Sequence, residues 1–467
     1  MRRWLALIIL VVLLAGCSTG NGAAQLRAGA GATPDGRETV SFAAWERERP
    51  QYEALAQRFA QEHPGIRVEI VTLDTLLGSA DPEASSSPLG VLSQVMAAVD
   101  AAPASLVTPQ AFGSGLLHDL APLMAADPTF QDDDFYPGAL DQYRSDNGLW
   151  VLPRSFSVAL LSYNKELFEQ AGLPEPQPGW DWSGLLIAAR RVSTATSVAG
   201  ARYGYLDPSN GFLPLVGVLR DQGVDLLDTP AEQIVLDRPE VVATTSVVRD
   251  MTSEGTLLPL FSNGAVDQGQ LKARSLVNAG RVAIWDEAML TPGLPAGEQR
   301  SYSFAVGRVP YPSGGLDVFG DLRGEGYVIS GNSRHAEAAW HWIEFLSRQP
   351  MPPETDEHAA DRLVPARRAL AEQTGFWSQL DDQTAAAYRW ALANQTPLKQ
   401  QALDMRVLGL LQPALRTILA QPSGDPQPVL SAAQHQLEQQ FSVANQTPLP
   451  PYNISPTTVI VPAGFPQ

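Results

Sequence analysis

The chain has 467 residues, 44% of them hydrophobic, and a formal charge of −18 at pH 7. That length suits two or three domains of roughly 100–200 residues each, with ample material for large cores. Acidic side chains outnumber Lys and Arg by 50 to 32, which excludes a grip on phosphate backbones and favours a soluble monomer. Cys17 is the single cysteine, so a disulfide, a zinc–thiolate site and a cysteine nucleophile paired with a second thiol are all ruled out.

The chain opens Met1-Arg2-Arg3-Trp4, continues through an apolar run over residues 5–14, and reaches Ala15-Gly16-Cys17-Ser18. A basic start, a short apolar run and small residues before a cut site describe a secretory signal. The run is too short to cross a ~30 Å hydrocarbon layer as a helix. Leu14-Ala15-Gly16-Cys17 resembles the bacterial lipobox. The resemblance implies that residues 1–17 are a lipoprotein signal and that Cys17 is lipidated. The chain is then expected at the cell membrane, lipid-anchored and facing the extracellular or periplasmic side. Residues 18–37, rich in Gly, Ala, Ser and Thr, read as a flexible tether of roughly 25 Å in coil form.

Order is expected from Thr39. Val40 and Phe42 alternate as in a strand, and Trp45-Glu46 follow. Tyr52, Leu55, Ala56 and Phe59 recur at helical spacing until His63-Pro64-Gly65 stops the helix, and Ile66, Val68 and Ile70 alternate as a second strand. Strand, helix and strand in so short a space make a βαβ unit, so the sheet begins parallel. Leu116, Leu117, Leu120 and Leu123 recur next, and residues 158–163 read as another apolar strand. Asn164 then caps a helix that Gly172 closes, and a further helix opens at Trp180-Asp181-Trp182-Ser183. Tyr327-Val328-Ile329 reads as a strand, and Ser333 as the cap of a helix striped by Ala339, Trp342, Ile343 and Leu346. From Thr384 to about Gln440 the pattern is helical with a break around 421–428, and residues 446–467 form a Pro-rich tail.

Several pieces in this order resemble the extracellular solute-binding proteins of bacterial ABC importers, in particular the sugar-binding class. They include Trp45-Glu46, His63-Pro64-Gly65, Gly115-Leu116-Leu117-His118-Asp119-Leu120, Leu152-Pro153, Tyr163-Asn164-Lys165 and Ala171-Gly172-Leu173-Pro174. Trp180-Asp181-Trp182, Arg281-Val282-Ala283-Ile284-Trp285, Val309-Pro310-Tyr311-Pro312, Gly326-Tyr327-Val328-Ile329-Ser330 and Val364-Pro365-Ala366-Arg367 complete the series. The resemblance covers roughly residues 38 to 440. It implies an α/β, two-lobed, periplasmic-binding-protein-like fold with a central ligand cleft and crossing hinge strands. The first crossing is expected near 150–163 and the return near 304–310. Residues 38–153 and 306–350 would then form lobe 1, and 154–305 with 351–445 lobe 2.

A sugar site wants aromatic plates for ring faces and polar side chains whose hydrogen bonds replace those to water. Trp45 and Glu46 follow the first strand, where open sheets place ligands at their carboxyl ends. The remaining assignments are implied by the resemblance. Gln110 falls on the next cleft loop, and Ser157 on the crossing segment with Arg154 nearby, for which a surface ion pair is the alternative. Asn210 and Phe212 occupy a loop that carries polar or aromatic contacts in the family. Trp285 and Asp286 follow the motif ending at Ile284, and Glu325 and Arg367 lie in segments that approach the cleft. The chain departs from the family pattern at Ala104-Ser105, where an Asp is usual, and at Ala288, Met289 and Leu290, which stand where a Gly and a Trp are usual. Trp150, Trp180, Trp182, Trp340, Trp342 and Tyr163 read as packing residues.

The function expected is capture of a small solute, a mono- or oligosaccharide, and its delivery to ABC permease subunits, with no cofactor or metal and no nucleic-acid partner. The alternatives are a non-sugar solute, such as a glycerol phosphate or a peptide, and a lipoprotein glycosidase. An enzyme is disfavoured because the sequence holds no nucleophile elbow, phosphate loop or dinucleotide fingerprint. His335 and His341, six apart, do not share a helix face, and Asp132-Asp133-Asp134 reads as an acidic loop or helix start in preference to a metal cluster.

Overall fold

The computed structural model describes residues 36–78, 87–108, 111–145, 148–156, 158–195, 202–228, 233–260, 266–290, 302–312, 325–350, 363–394 and 398–444. The expectations for Cys17, the tail from 446, Gln110 and Ser157 lie outside these residues, as does nearly all of the tether. Among the described residues two five-stranded sheets are built from β1 (Glu38–Ala44), β2 (Ile66–Thr72), β3 (Ala101–Pro103), β4 (Leu152–Pro153), β5 (Leu160–Asn164), β6 (Tyr203–Asp207), β7 (Leu257–Pro259), β8 (Val282–Asp286), β9 (Val306–Pro310) and β10 (Gly326–Ile329). The first sheet runs β2-β1-β3-β10-β4 and the second β7-β6-β8-β5-β9.

In the first sheet the alternation of Val40 and Phe42 buries both side chains. Helix α1 (Arg49–Glu62) buries Tyr52, Leu55 and Phe59 against the sheet and ends where the His63 N–H closes onto the Phe59 carbonyl, before Pro64. β2 then pairs parallel to β1, with Glu38 opposite Ile66. The helix Ala336–Ser347 covers the same core. Its Trp342 ring meets Phe42 edge-on at 5.7 Å and Phe59 at 5.2 Å, contacts worth about 0.5–1.5 kcal/mol each beyond the area they bury. This helix starts two residues later than the sequence suggested. Ser333 accepts the His335 N–H in a turn ahead of it and does not cap it.

The second sheet is covered by α2 (Trp182–Thr194), capped by Asp181, whose carboxylate accepts the Gly184 N–H at 2.6 Å. α2 and α3 (Phe212–Asp221) pack so closely that a Cβ on Gly217 would lie 2.1 Å from the Trp182 ring. Asn164 caps the short helix after β5 by accepting the Leu167 N–H, and Gly172 takes the left-handed φ of 65° that ends it.

The chain passes between the sheets from β4 to β5 and again from β9 to β10. Leu160 belongs to the first core and Leu161 to the second. Two expected boundaries shift. The stretch 306–310 is an edge strand of the second sheet, paired antiparallel to β5, so the return follows Pro310. The stretch from 351 does not rejoin the second lobe as a whole. Val364, Ala366, Ala371, Phe376, Ala387, Tyr388 and Leu392 are buried in the first core, whereas Leu411, Leu415 and Ile418 of the following helix join the second.

Arg367 explains the first part of that shift. Its guanidinium donates to Ser347 Oγ at 3.0 Å and pairs with Glu344 at 3.1 Å and Asp134 at 3.4 Å, and it stacks on Phe135 at 4.4 Å. Burial pushes its pKa down and the two carboxylates oppose that. Helix α4 (Asp382–Ala393) then bridges the lobes: Tyr388 packs on Phe376, while Gln383 hydrogen-bonds Tyr163 and Lys165 of the second lobe. Tyr163 and Lys165 both donate to Glu175, at 2.7 and 3.1 Å.

Two outcomes are expected. Arg367→Met leaves the buried Glu344 and the partly buried Asp134 without their shared partner and should lower unfolding stability by about 3 kcal/mol in urea denaturation; an unchanged midpoint would show the cage is not needed. The hydrogen bonds from Tyr163 and Lys165 hold the Glu175 pKa below the usual glutamate value. Its contribution is therefore present above the ordinary carboxyl pKa and is lost as pH falls through the lowered one. The difference in melting temperature between the wild type and Glu175→Gln should be largest near neutral pH and close below about pH 4; a pH-independent difference would contradict this.

Candidate ligand-binding cleft

Strand direction locates the cleft. β1, β2 and β3 run parallel, with Ala44 opposite Thr72 and Phe42 opposite Ala101, so their carboxyl ends lie level. β10 is antiparallel to β3 and pairs Tyr327 with Pro103 and Gly326 with Pro153. Trp45, Glu325 and Arg154 therefore leave the first sheet along one edge. In the second sheet Pro259 lies opposite Asp207 and Ile284 opposite Tyr205, which brings the carboxyl ends of β6, β7 and β8 level. Asp286 lies opposite Leu161 and Pro310 opposite Leu160. Both passages thus leave one carboxyl edge and enter at the other, and the two edges face each other across the crossing segments. Open α/β sheets take their ligands at this kind of edge.

On the first-lobe edge Trp45 is half-buried, and its carbonyl accepts the N–H groups of Glu48 and Arg49 as the chain turns into α1. Glu46 is exposed, with its N–H donated to Asp74 at 2.8 Å. Arg154 is 5% exposed and ties three chain passages together. Its N–H and that of Ser155 share the Glu325 carbonyl, and its own carbonyl accepts the Ala366 N–H at 2.8 Å. The guanidinium donates to the Tyr327 hydroxyl at 3.1 Å and lies 3.9 Å from the Glu325 carboxylate, and its Nε has no partner among the described residues. Burial opposes its charge, but Tyr327, Glu325 and Tyr52 hold its pKa above the ordinary arginine value. Glu325 is half-exposed and also accepts the Ser155 hydroxyl at 3.3 Å.

On the second-lobe edge the turn after β6 is organised by Asp207, 1% exposed. Its carboxylate accepts the Ser209 N–H at 2.9 Å, the Ser209 hydroxyl at 2.5 Å and the Gly211 N–H. Burial raises its pKa, and these donors oppose that because they pair with the ionised form. Asn210 follows with φ of 51° and is 5% exposed. Asp286, at the end of β8, accepts the Tyr311 hydroxyl at 2.7 Å, which anchors the start of the return passage.

The structure thus brings Trp45, Glu46, Arg154 and Glu325 to one edge and Asn210 and Asp286 to the other. Three expected contacts are corrected. Phe212 is fully buried in the second core. Trp285 is fully buried, donates from Nε1 to Glu287 at 2.6 Å and packs on Tyr302; it offers no face to a ligand. Arg367 is consumed by the cage in the first lobe. The sequence reading missed Asp207, Tyr311 and Tyr327. Asp207-Pro208-Ser209-Asn210-Gly211 carries a usable signal, because an Asp two residues before a Ser in a Gly-ended turn marks an Asx-turn. Asp134 pairs with Arg367 and accepts the Ala369 N–H, and among the described residues no group of His, Cys, Asp and Glu is arranged for a metal.

Two α/β lobes, joined by crossing segments and sharing a polar cleft, define a hinge-type binding protein. Residues 43–350 match the bacterial extracellular solute-binding protein family. The chain belongs to that family and is a solute-binding component of an ABC importer. A putative binding protein of Brucella abortus (strain 2308) is 23% identical over 309 residues, 64% of this chain and 68% of the relative. Among solved structures, the sugar-binding protein MalE from Xanthomonas citri shares the fold with a TM-score of 0.58 at 18% identity, over 87% of this chain and 98% of that one. UgpB from Mycobacterium tuberculosis, in complex with glycerophosphocholine, does so with a TM-score of 0.55 at 17% identity, over 88% and 100%. Among the described residues no helix is long and apolar enough to cross a membrane.

Proposed function

We propose that the chain captures a mono- or oligosaccharide between its lobes, while tethered to the membrane by lipid on Cys17, and hands it to the permease subunits of its importer. The observation that carries this reading is the convergence of both carboxyl edges on the crossing segments, each edge bringing polar side chains. Arg154 supplies donors, Glu46, Glu325 and Asp286 supply acceptors, and Asn210 supplies both. This mixture suits hydroxyls, each of which donates one hydrogen bond and accepts others. Trp45, half-buried at the mouth, offers an aromatic surface to the apolar face of a sugar ring. A phosphate asks instead for several cations or bidentate Arg, and Arg154 is already engaged with Tyr327.

The test is thermal unfolding of residues 38–467 against maltose, longer maltooligosaccharides, D-mannitol and glycerophosphocholine. A compound at 100 times its dissociation constant should stabilise the fold by about 2.7 kcal/mol. We expect a shift with an uncharged sugar or polyol that is lost in Trp45→Ala. A shift with glycerophosphocholine alone would remove the sugar and leave the binding function; no shift at all would count against capture of this solute class. The anchor is read separately. In cells fed radiolabelled palmitate the full chain should take up label and Cys17→Ser should not, and equal labelling of both would refute lipidation at this residue.

A further inference from the structure

We infer that Asp207 is a positioning residue: it fills the anion position at the start of α3, holds Asn210 ready for the ligand, and so makes the second-lobe edge selective for an uncharged solute. The inference rests on the capture reading above and adds ligand charge to it.

The first turn of a helix gathers N–H groups and partial positive charge, which is why helix N-termini attract phosphates. Here the protein's own carboxylate stands in that place. Asp207 accepts the N–H of Gly211, the residue that caps α3, and the hydroxyl of Ser209, whose oxygen in turn accepts the Leu213 N–H at 2.8 Å. The donors that would meet an incoming phosphate are already committed. Asp207 has no cationic partner among the described residues and is balanced only by neutral donors, so its carboxyl offers an anionic ligand no attraction. Asp286 lies at the same sheet edge and is nearly as buried.

The same turn fixes Asn210. Its left-handed backbone, at φ 51°, is uncommon outside glycine, and Asn is among the few side chains that tolerate it. Bonds from Ser209 on one side and Gly211 on the other to a single carboxylate bracket the residue and hold this conformation. Asn210 is only 5% exposed, and its carboxamide, which has no hydrogen-bond partner among the described residues, is the end that reaches the surface. An unpaired carboxamide at the cleft edge offers one neutral donor and one neutral acceptor, which match a ligand hydroxyl.

The experiment compares the wild type with Asp207→Asn, Asn210→Gly and the double variant. Dissociation constants are measured for maltose, D-mannitol, sn-glycerol 3-phosphate and inorganic phosphate, and the Asp207→Asn chain is crystallised. Wild type should bind an uncharged compound and neither phosphate. Each single variant should weaken that binding about tenfold, and the double variant no further, because Asp207 acts through Asn210. In the Asp207→Asn crystal Asn210 should leave the left-handed region. If Asp207→Asn fails to fold, Asn210→Gly still decides the contact, since glycine keeps the turn without strain. Retention of the left-handed Asn210 in Asp207→Asn, or additive losses, overturns the positioning role. Phosphate binding at least as tight as that of the uncharged compounds overturns the selectivity and spares the capture reading. A panel without any binder overturns the capture reading and the selectivity with it.

Discussion

A parallel sheet has two unlike edges, because every strand in it delivers its carboxyl end to the same side. In this chain β1, β2 and β3 do so in one sheet and β6, β7 and β8 in the other. Strands β4 and β9, which run with the parallel strands of their sheets, carry the chain out at a carboxyl edge, and β5 and β10, which run against them, receive it at the other. A six-residue segment between Pro153 and Leu160 spans at most about 20 Å when fully extended, so the two edges cannot lie far apart at the crossing. The cleft is a product of strand direction combined with the short connection from β4 to β5. Side chains at the strand ends inherit their position from that geometry, whatever their own chemistry.

Two buried arginines show how the passages are held. Arg367 has its guanidinium nitrogens shared among Ser347, Glu344 and Asp134, with an aromatic ring beneath. A cation so fully engaged fixes the third passage to the first lobe, at a desolvation cost its partners offset. Arg154 differs. It bonds Tyr327, sits 3.9 Å from a half-exposed Glu325 and leaves Nε without a partner among the described residues. The same residue type therefore acts as a rivet in one place and keeps spare hydrogen-bonding capacity in the other. Helix α4, packed in the first core but bonded through Gln383 to Tyr163 and Lys165, ties the lobes together along the edge strand β9.

Local structure was legible in the sequence because its causes are local. The alternation at Val40 and Phe42, the helical stripe from Tyr52 to Phe59, the Pro64 stop, the Asn164 cap and the Gly172 reversal all act within a few residues. The family resemblance added the lobes and the order of crossing. What stayed hidden depends on partners far apart in the chain. Nothing near Arg367 announces that Asp134 and Glu344 will enclose it, so a basic residue in a segment approaching the cleft was read as a ligand contact. Phe212 follows β6 and Trp285 stands near the carboxyl end of β8, but an aromatic ring fits a core as readily as a cleft. Only burial separates the two, and burial is set by the whole lobe. Asp207 was legible through its turn motif, although its consequence for Asn210 appears only once the backbone angles are known.

Two electrostatic effects bear on an approaching anion, and their ranges decide which governs. The net charge of −18 acts over the whole surface, but at physiological salt exposed charges are largely screened beyond about 8 Å. That field slows the encounter without choosing among ligands already in the cleft. Inside the cleft, buried charges are screened much less than exposed ones. Asp207 and Asp286 are 1% and 5% exposed, so water and counter-ions screen them poorly. On the first-lobe edge Arg154 is bonded to Tyr327 and close to Glu325, so part of its charge is already answered there. The charge selection proposed for the turn after β6 is therefore a local effect, to which the acidity of the chain as a whole contributes little.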